Sequence, residues 1–162
     1  MSYGQVLIRP VRPTGDGVWF DLAGPTEISG GSGGWQDVTR PMRRTASEWT
    51  GTPILTQTVP LLLDGLPAGA GRNVSVEPLC RLLQSWGEPT EDTGRPPILR
   101  IAGPVHHTAR RWVIDSLTWA PALRNGRGER IQQDVTLVLR DFLDPAILRG
   151  PAEKSRKRRK KK

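Results

Sequence analysis

The chain is predicted to fold as an α+β domain, mainly antiparallel β in a sandwich or barrel, with one packed α-helix and a disordered basic C-terminal tail. Three observations carry that prediction. Glycine (18) and proline (15) are spread through the 162 residues and cut them into short runs, which favours strands and turns over long helices. One segment alone shows a sustained apolar stripe at helical spacing. Two long segments alternate apolar and polar residues at period two, and one of them follows an Asn-Gly turn.

Taken in order, "QVLIRPVR" and "VWFDLA" read as short strands, and "ISGGSGGW" after them as a flexible Gly/Ser loop. In "TPILTQTVPLLLDG" the residues Leu55, Val59, Leu61 and Leu63 share one face, while Thr56 and Thr58 point the other way. Pro60 cannot donate to a ladder, which places this strand at a sheet edge or at a bulge. An edge strand of that length invites a partner strand from another chain.

The helix is "NVSVEPLCRLLQSWG". Ser75 suits its N-cap, Pro78 is tolerated in the first turn, and Leu79, Leu82, Leu83 and Trp86 form the stripe before the Gly87 stop. "EPTEDTGRPP" is a polar loop and "PILRIAG" a short strand. The arms "RRWVIDSLTWAP" and "ERIQQDVTLVLRDF" flank "RNGRG" as a hairpin, with Ile131, Val135, Leu137 and Leu139 on one face. The resulting organisation is a β-domain over residues 1–150 and a basic tail over 151–162.

Charge separates those two parts. The chain holds 24 basic and 16 acidic residues, and Glu153–Lys162 alone holds eight basic and one acidic, so residues 1–152 are close to neutral. An inference from high pI to a nucleic-acid partner is therefore confined to the terminus. The candidate contacts are Lys154, Arg156, Lys157, Arg158, Arg159, Lys160, Lys161 and Lys162. Three readings stand for them: a solvated terminus, an arm docking on an acidic neighbour, or sequence-blind DNA contact. If all eight met phosphates, the log–log salt slope of binding would be about −7.

Few residues suggest chemistry. His106 and His107 are adjacent and would point to opposite faces of an extended chain, which suits a shared metal poorly. Cys80 excludes an intramolecular disulfide by being the single cysteine, and beside an apolar stripe it reads as buried filler. "GGSGG" and "GAG" lack the Lys-Ser/Thr of a phosphate loop. No run near ~20 apolar residues spans a membrane, and no signal pattern opens the chain. The expectation is a protein without catalytic residues, metal or cofactor, and not an enzyme. Of six tryptophans, Trp19, Trp112 and Trp119 fall in strands and Trp86 on the helix. Trp35 and Trp49 fall beside the Gly/Ser loop, where aromatic residues often anchor an interface.

The order "LLLDG", "VEPLCRLLQSW", "RPPILRIAG", "RRWVIDSLTWAP", "RNGRGERIQQ", "VTLVLRDFLDP" resembles the tube and baseplate-adaptor proteins of phage tails and related contractile injection systems, over roughly residues 35–145. The resemblance implies a tube-protein-like sheet that joins copies edge to edge in a ring, commonly sixfold, with the helix outside. The chain would then be a structural subunit at the baseplate-proximal end of the tail tube, connecting tube to hub. Its partners would be itself and neighbouring tube, hub or tape-measure proteins. Its place would be the virion tail, assembled in the host cytoplasm. The subunit-interface candidates are Trp35, Trp49, Leu55, Val59 and Leu61. Adaptor members continue into a LysM module where this chain has "EKSRKRRKKK", so peptidoglycan binding is not carried over. The alternative reading is a nucleic-acid-binding accessory protein that uses the basic arm on a β-domain platform.

Overall fold

The computed structural model describes residues 3–39, 41–66 and 71–144, and the basic run from Lys154 to Lys162 lies outside them. The described chain is mostly antiparallel β with one helix, as the sequence predicts. Its elements are β1 (Gln5–Arg12), β2 (Val18–Leu22), β3 (Glu27–Ser29), β4 (Trp35–Val38), β5 (Ala46–Trp49), β6 (Thr56–Asp64), α1 (Glu77–Gly87), β7 (Ile98–Ala102), β8 (Trp112–Trp119), β9 (Leu123–Arg124) and β10 (Arg130–Asp141).

Alternation along the long strands builds the core. β6 buries every second residue from Gln57 to Leu63, and β10 does the same from Ile131 to Asp141. The two pair antiparallel over the whole of β6, Gln132 opposite Asp64 through Arg140 opposite Thr56. β6 also pairs with β2, β2 with β1, β1 with β7, β7 with β8, and β8 with β10. Six strands thus close on themselves as a barrel. Closure removes sheet edges, because each strand's outer hydrogen-bonding groups meet a neighbour in the same molecule.

This overturns the edge assignment for β6. One side of the strand is taken by β10, and the other by β3 and then β2. Pro60 is accommodated where those two partners hand over. Its carbonyl accepts the Ala23 amide at 3.0 Å, so its nitrogen faces the turn between β2 and β3, where no ladder donor is needed.

The helix face keeps two of the four expected stripe residues, Leu83 and Trp86. Val76, Cys80, Leu83 and Trp86 are buried, while Leu79 and Leu82 are only partly covered. Trp86 meets Phe20 edge to face, with centroids 6.3 Å apart and planes at 82°. The N-cap is Val76, one residue beyond the expected Ser75, and it has no side-chain cap bond; Ser75 accepts the Glu77 amide at 3.3 Å from outside the helix. The helix start is stapled to β10 by a bidentate pair: Arg130 donates to the two Glu77 oxygens at 2.8 and 2.7 Å. The Val76 amide adds a bond to the Arg130 carbonyl at 2.8 Å, and the Arg130 guanidinium lies 5.4 Å from the Trp119 ring. The Arg130 hydrogen bonds lower the Glu77 pKa from 4.5 to about 2.

The "RNGRG" loop forms the expected connection by a different geometry. Asn125 stands at the first position of the turn. Its side-chain oxygen accepts the Arg127 and Glu129 amides at 2.9 and 3.0 Å. Gly128 takes the left-handed conformation, φ 83°, as a type I turn followed by a bulge requires.

Candidate functional site

The segment read from sequence as a loop is a β-ribbon arm. β3 pairs with the start of β6 from Glu27–Thr58 to Ser29–Thr56. Beyond that point the two legs stay zipped: the Gly31 amide bonds the Pro53 carbonyl at 3.0 Å and the Thr50 amide bonds the Gly34 carbonyl at 2.8 Å. β4 and β5 then pair from Trp35–Trp49 to Val38–Ala46. Gly34 is needed at this junction, since its φ is 86° and a Cβ there would lie 1.8 Å from the Gly51 carbonyl oxygen.

No described residue from 30 to 54 is buried. The distal ribbon therefore has no core of its own, and an isolated two-stranded hairpin is marginally stable in water. What it carries instead is a directly opposed tryptophan pair. Trp35 is 68% exposed and Trp49 55%. Opposite residues of an antiparallel pair share a face, with Cβ atoms about 4.5–5.5 Å apart. Trp49 is anchored by its indole N–H, which donates to the Gly33 carbonyl at 3.3 Å. Next along the same face the Ser47 hydroxyl donates to Asp37 at 3.3 Å, and Met42 at the tip is fully exposed.

Two of the five interface candidates are thus brought together and three are not. Leu55, Val59 and Leu61 are 7%, 0% and 0% exposed and point into the barrel. They are core residues, each worth roughly 1.5–3 kcal/mol of burial. Their assignment to a subunit contact is corrected because their side chains fill the core of the same molecule.

The remaining singled-out groups serve the fold. Burial pushes the Cys80 thiol pKa up, which keeps it protonated and unreactive. Gln57, inside the barrel, faces the His106 backbone; with its amide oriented so that its nitrogen donates to the His106 carbonyl and its oxygen accepts the His106 amide, both bonds are 3.0 Å and tie down that loop. Arg110 pairs with the buried Asp141 carboxylate where β10 ends. Among the described residues no group of three His, Cys, Asp or Glu side chains is placed to hold a metal. No helix of the described residues is long and apolar enough to cross a membrane.

Sequence reasoning found Trp35 and Trp49 but missed the strands that present them. "WQDV" and "ASEW" face water on both sides and carry no apolar alternation, so period two leaves no trace in them. The glycines on either side were the available signal, since such residues also permit the close backbone approach of a ribbon. No protein-family model matches the chain, and no curated protein matches it.

Proposed function

We propose that the chain is a structural subunit that assembles with copies of itself through the β-ribbon arm. In the setting its sequence resembles, the assembly is a ring at the baseplate-proximal end of a phage-type tail tube, linking tube to hub. The observation that supports this reading is the arm: two exposed tryptophans side by side on a ribbon that has no core beneath it.

Magnitudes favour a closed, reciprocal assembly over a single arm contact. Burying the exposed parts of Trp35 and Trp49 removes on the order of 200–300 Å² from water, roughly 5–7 kcal/mol. Association itself costs about 4–15 kcal/mol, so one arm in one acceptor is a weak contact. A closed ring, in which every subunit both gives and receives an arm, makes the last contact intramolecular and holds where the single contact would not. The assembly mode differs from the edge-to-edge pairing implied by the resemblance, because the barrel strands are already partnered.

Light scattering and negative-stain imaging of the purified chain test the reading. The expected result is a ring of uniform size whose subunits separate in a Trp35→Ala/Trp49→Ala variant that melts like the dilute, dissociated wild type. A wild-type chain that stays monomeric up to millimolar concentration contradicts it.

A second reading, the nucleic-acid-binding accessory protein, is favoured by one observation, the eight basic residues among the last ten. Removing residues 153–162 separates the two: nucleic-acid retention is lost under the second and ring formation persists under the first.

A further inference from the structure

The outer face of β2, β1 and β7 carries an arrangement that works against the fold. Arg9 and Arg100 are register partners across the β1–β7 ladder. Both are exposed, and their neighbours Ile8 and Ile101 point into the core at 0% and 2% exposure. Like charges placed directly opposite on a sheet destabilise it. Neither arginine has a carboxylate within ion-pair distance among the described residues, whereas Arg12, Arg110, Arg130 and Arg140 each have one.

The next row on the same face is aromatic and apolar. Leu7 is the partner of Trp19 on one side and of Ala102 on the other. Trp19 is 57% exposed although it stands in the middle of a barrel strand. No side chain stands beside Arg9 on that flank, because Gly17, the residue before β2, is there and the Leu7 methyl leans over it. Leu7 thereby forms an apolar floor between the Trp19 ring and the arginine pair. The one carboxylate on the face, Asp21, lies a row further on and accepts from Gln5 at 2.9 Å.

We propose that this face binds single-stranded nucleic acid, with Trp19 stacking on a base and Arg9 and Arg100 holding an adjacent phosphate. The two rows are about 7 Å apart, two residues along a strand, which is the order of the span from a base to its flanking phosphates. Aromatic platforms beside backbone-tracking cations are the recurrent solution for single strands, and the affinity they give tolerates any sequence. An acidic peptide would satisfy the arginines but gives no use to an exposed indole in the next row. The same chain also carries the basic run Arg156–Lys162, which suits a polyanion. The inference does not depend on ring assembly, since it uses a different face from the arm.

The test uses the full chain and a fluorescein-labelled 15-nucleotide thymidine oligomer, with anisotropy read over a series of salt concentrations. The basic terminal run contributes equally in every variant. Trp19→Ala weakens binding about 5- to 100-fold and leaves the salt slope unchanged, because stacking releases no counterions. Arg9→Gln/Arg100→Gln lowers the log–log slope by about 0.7, the one phosphate that the pair holds on a single strand. Trp19→Phe, which keeps a ring at the position, binds more tightly than Trp19→Ala and guards against a folding defect. Trp35→Ala/Trp49→Ala binds as wild type. If Trp19→Ala and the arginine pair variant both bind as wild type, the terminal run does all the work and the proposal is overturned. It is equally overturned if polyglutamate binding is lost in the arginine pair variant while oligomer binding is not, for the face then recognises an acidic protein.

Discussion

The barrel and the arm are made of the same secondary structure and differ in what their side chains do. In the barrel, β6 and β10 turn Val59, Leu61, Leu63, Val135, Leu137 and Leu139 onto one another, and all are at most 2% exposed. In the arm, β4 and β5 pair in register with no buried residue on either face. Hydrogen bonding alone contributes little net stability per bond, so the ladder that both regions share does not decide which one stands alone. Burial does. The barrel is self-sufficient because closure satisfies its edges and fills its interior, and the arm leaves its largest apolar groups, Trp35 and Trp49, exposed to water.

Substitutions sharpen that contrast. The largest effect is expected inside the barrel: Leu61→Ala or Leu137→Ala lowers the unfolding free energy by about 2–5 kcal/mol in a denaturant titration. Alanine at Trp35 or Trp49 shifts the same midpoint by no more than about 0.5 kcal/mol, as expected of exposed sites. A core-sized loss at the arm would mean that the arm packs on the barrel, and the comparison would break.

Next in size is the staple between helix and barrel. Glu77→Gln removes the charged partner of Arg130 and costs about 1–3 kcal/mol, measured at neutral pH. The pH dependence has a definite sign. The Arg130 hydrogen bonds depress the folded Glu77 pKa from 4.5 to about 2. Its contribution is therefore complete above about pH 4.5 and is lost as the pH falls through 2, once the carboxylate protonates in both states. Wild type and Glu77→Gln should converge in stability across that window. A constant gap between them would assign the role to something other than the ion pair.

A smaller loss, about 1 kcal/mol, follows Gly128→Ala, since alanine resists the left-handed backbone of the turn. The smallest effect has the opposite sign. Arg9→Gln stabilises the barrel by ~0.2–0.5 kcal/mol in thermal melts, because it relieves a like-charge pair directly across the ladder. A loss instead would mean that Arg9 has a structural partner, and the reading of its face as a binding surface would lose its basis.

Much of the barrel was legible in the sequence because its strands are buried on one face only. Alternation from Leu55 to Leu63 and from Ile131 to Leu139 specified the strands and which residues share a face, but not that Leu55, Val59 and Leu61 face the core instead of a partner. What could not be read locally was the pairing. Pro60 pointed to an edge under a rule that assumes one neighbour on each side. Here the neighbour changes from β3 to β2 beside it, so the missing donor faces a turn. The β6–β10 closure joins segments far apart in sequence, and no short-range pattern encodes such a contact. The helix buries Cys80, read from sequence as a small filler beside the stripe, along with Leu83 and Trp86, while Leu79 and Leu82 are only partly covered. Of the candidate site, the tryptophans were visible as misplaced aromatics, and the ribbon that aligns them was not.

Amide hydrogen exchange, followed residue by residue at low and high protein concentration, tests the division of labour most directly. The account predicts that β6 and β10 amides exchange only by global opening at every concentration. Amides from Trp35 to Trp49 should be poorly protected in dilute solution and become protected as subunits associate. Protection of the arm that is already high and independent of concentration, or a gain confined to the barrel strands, would contradict it.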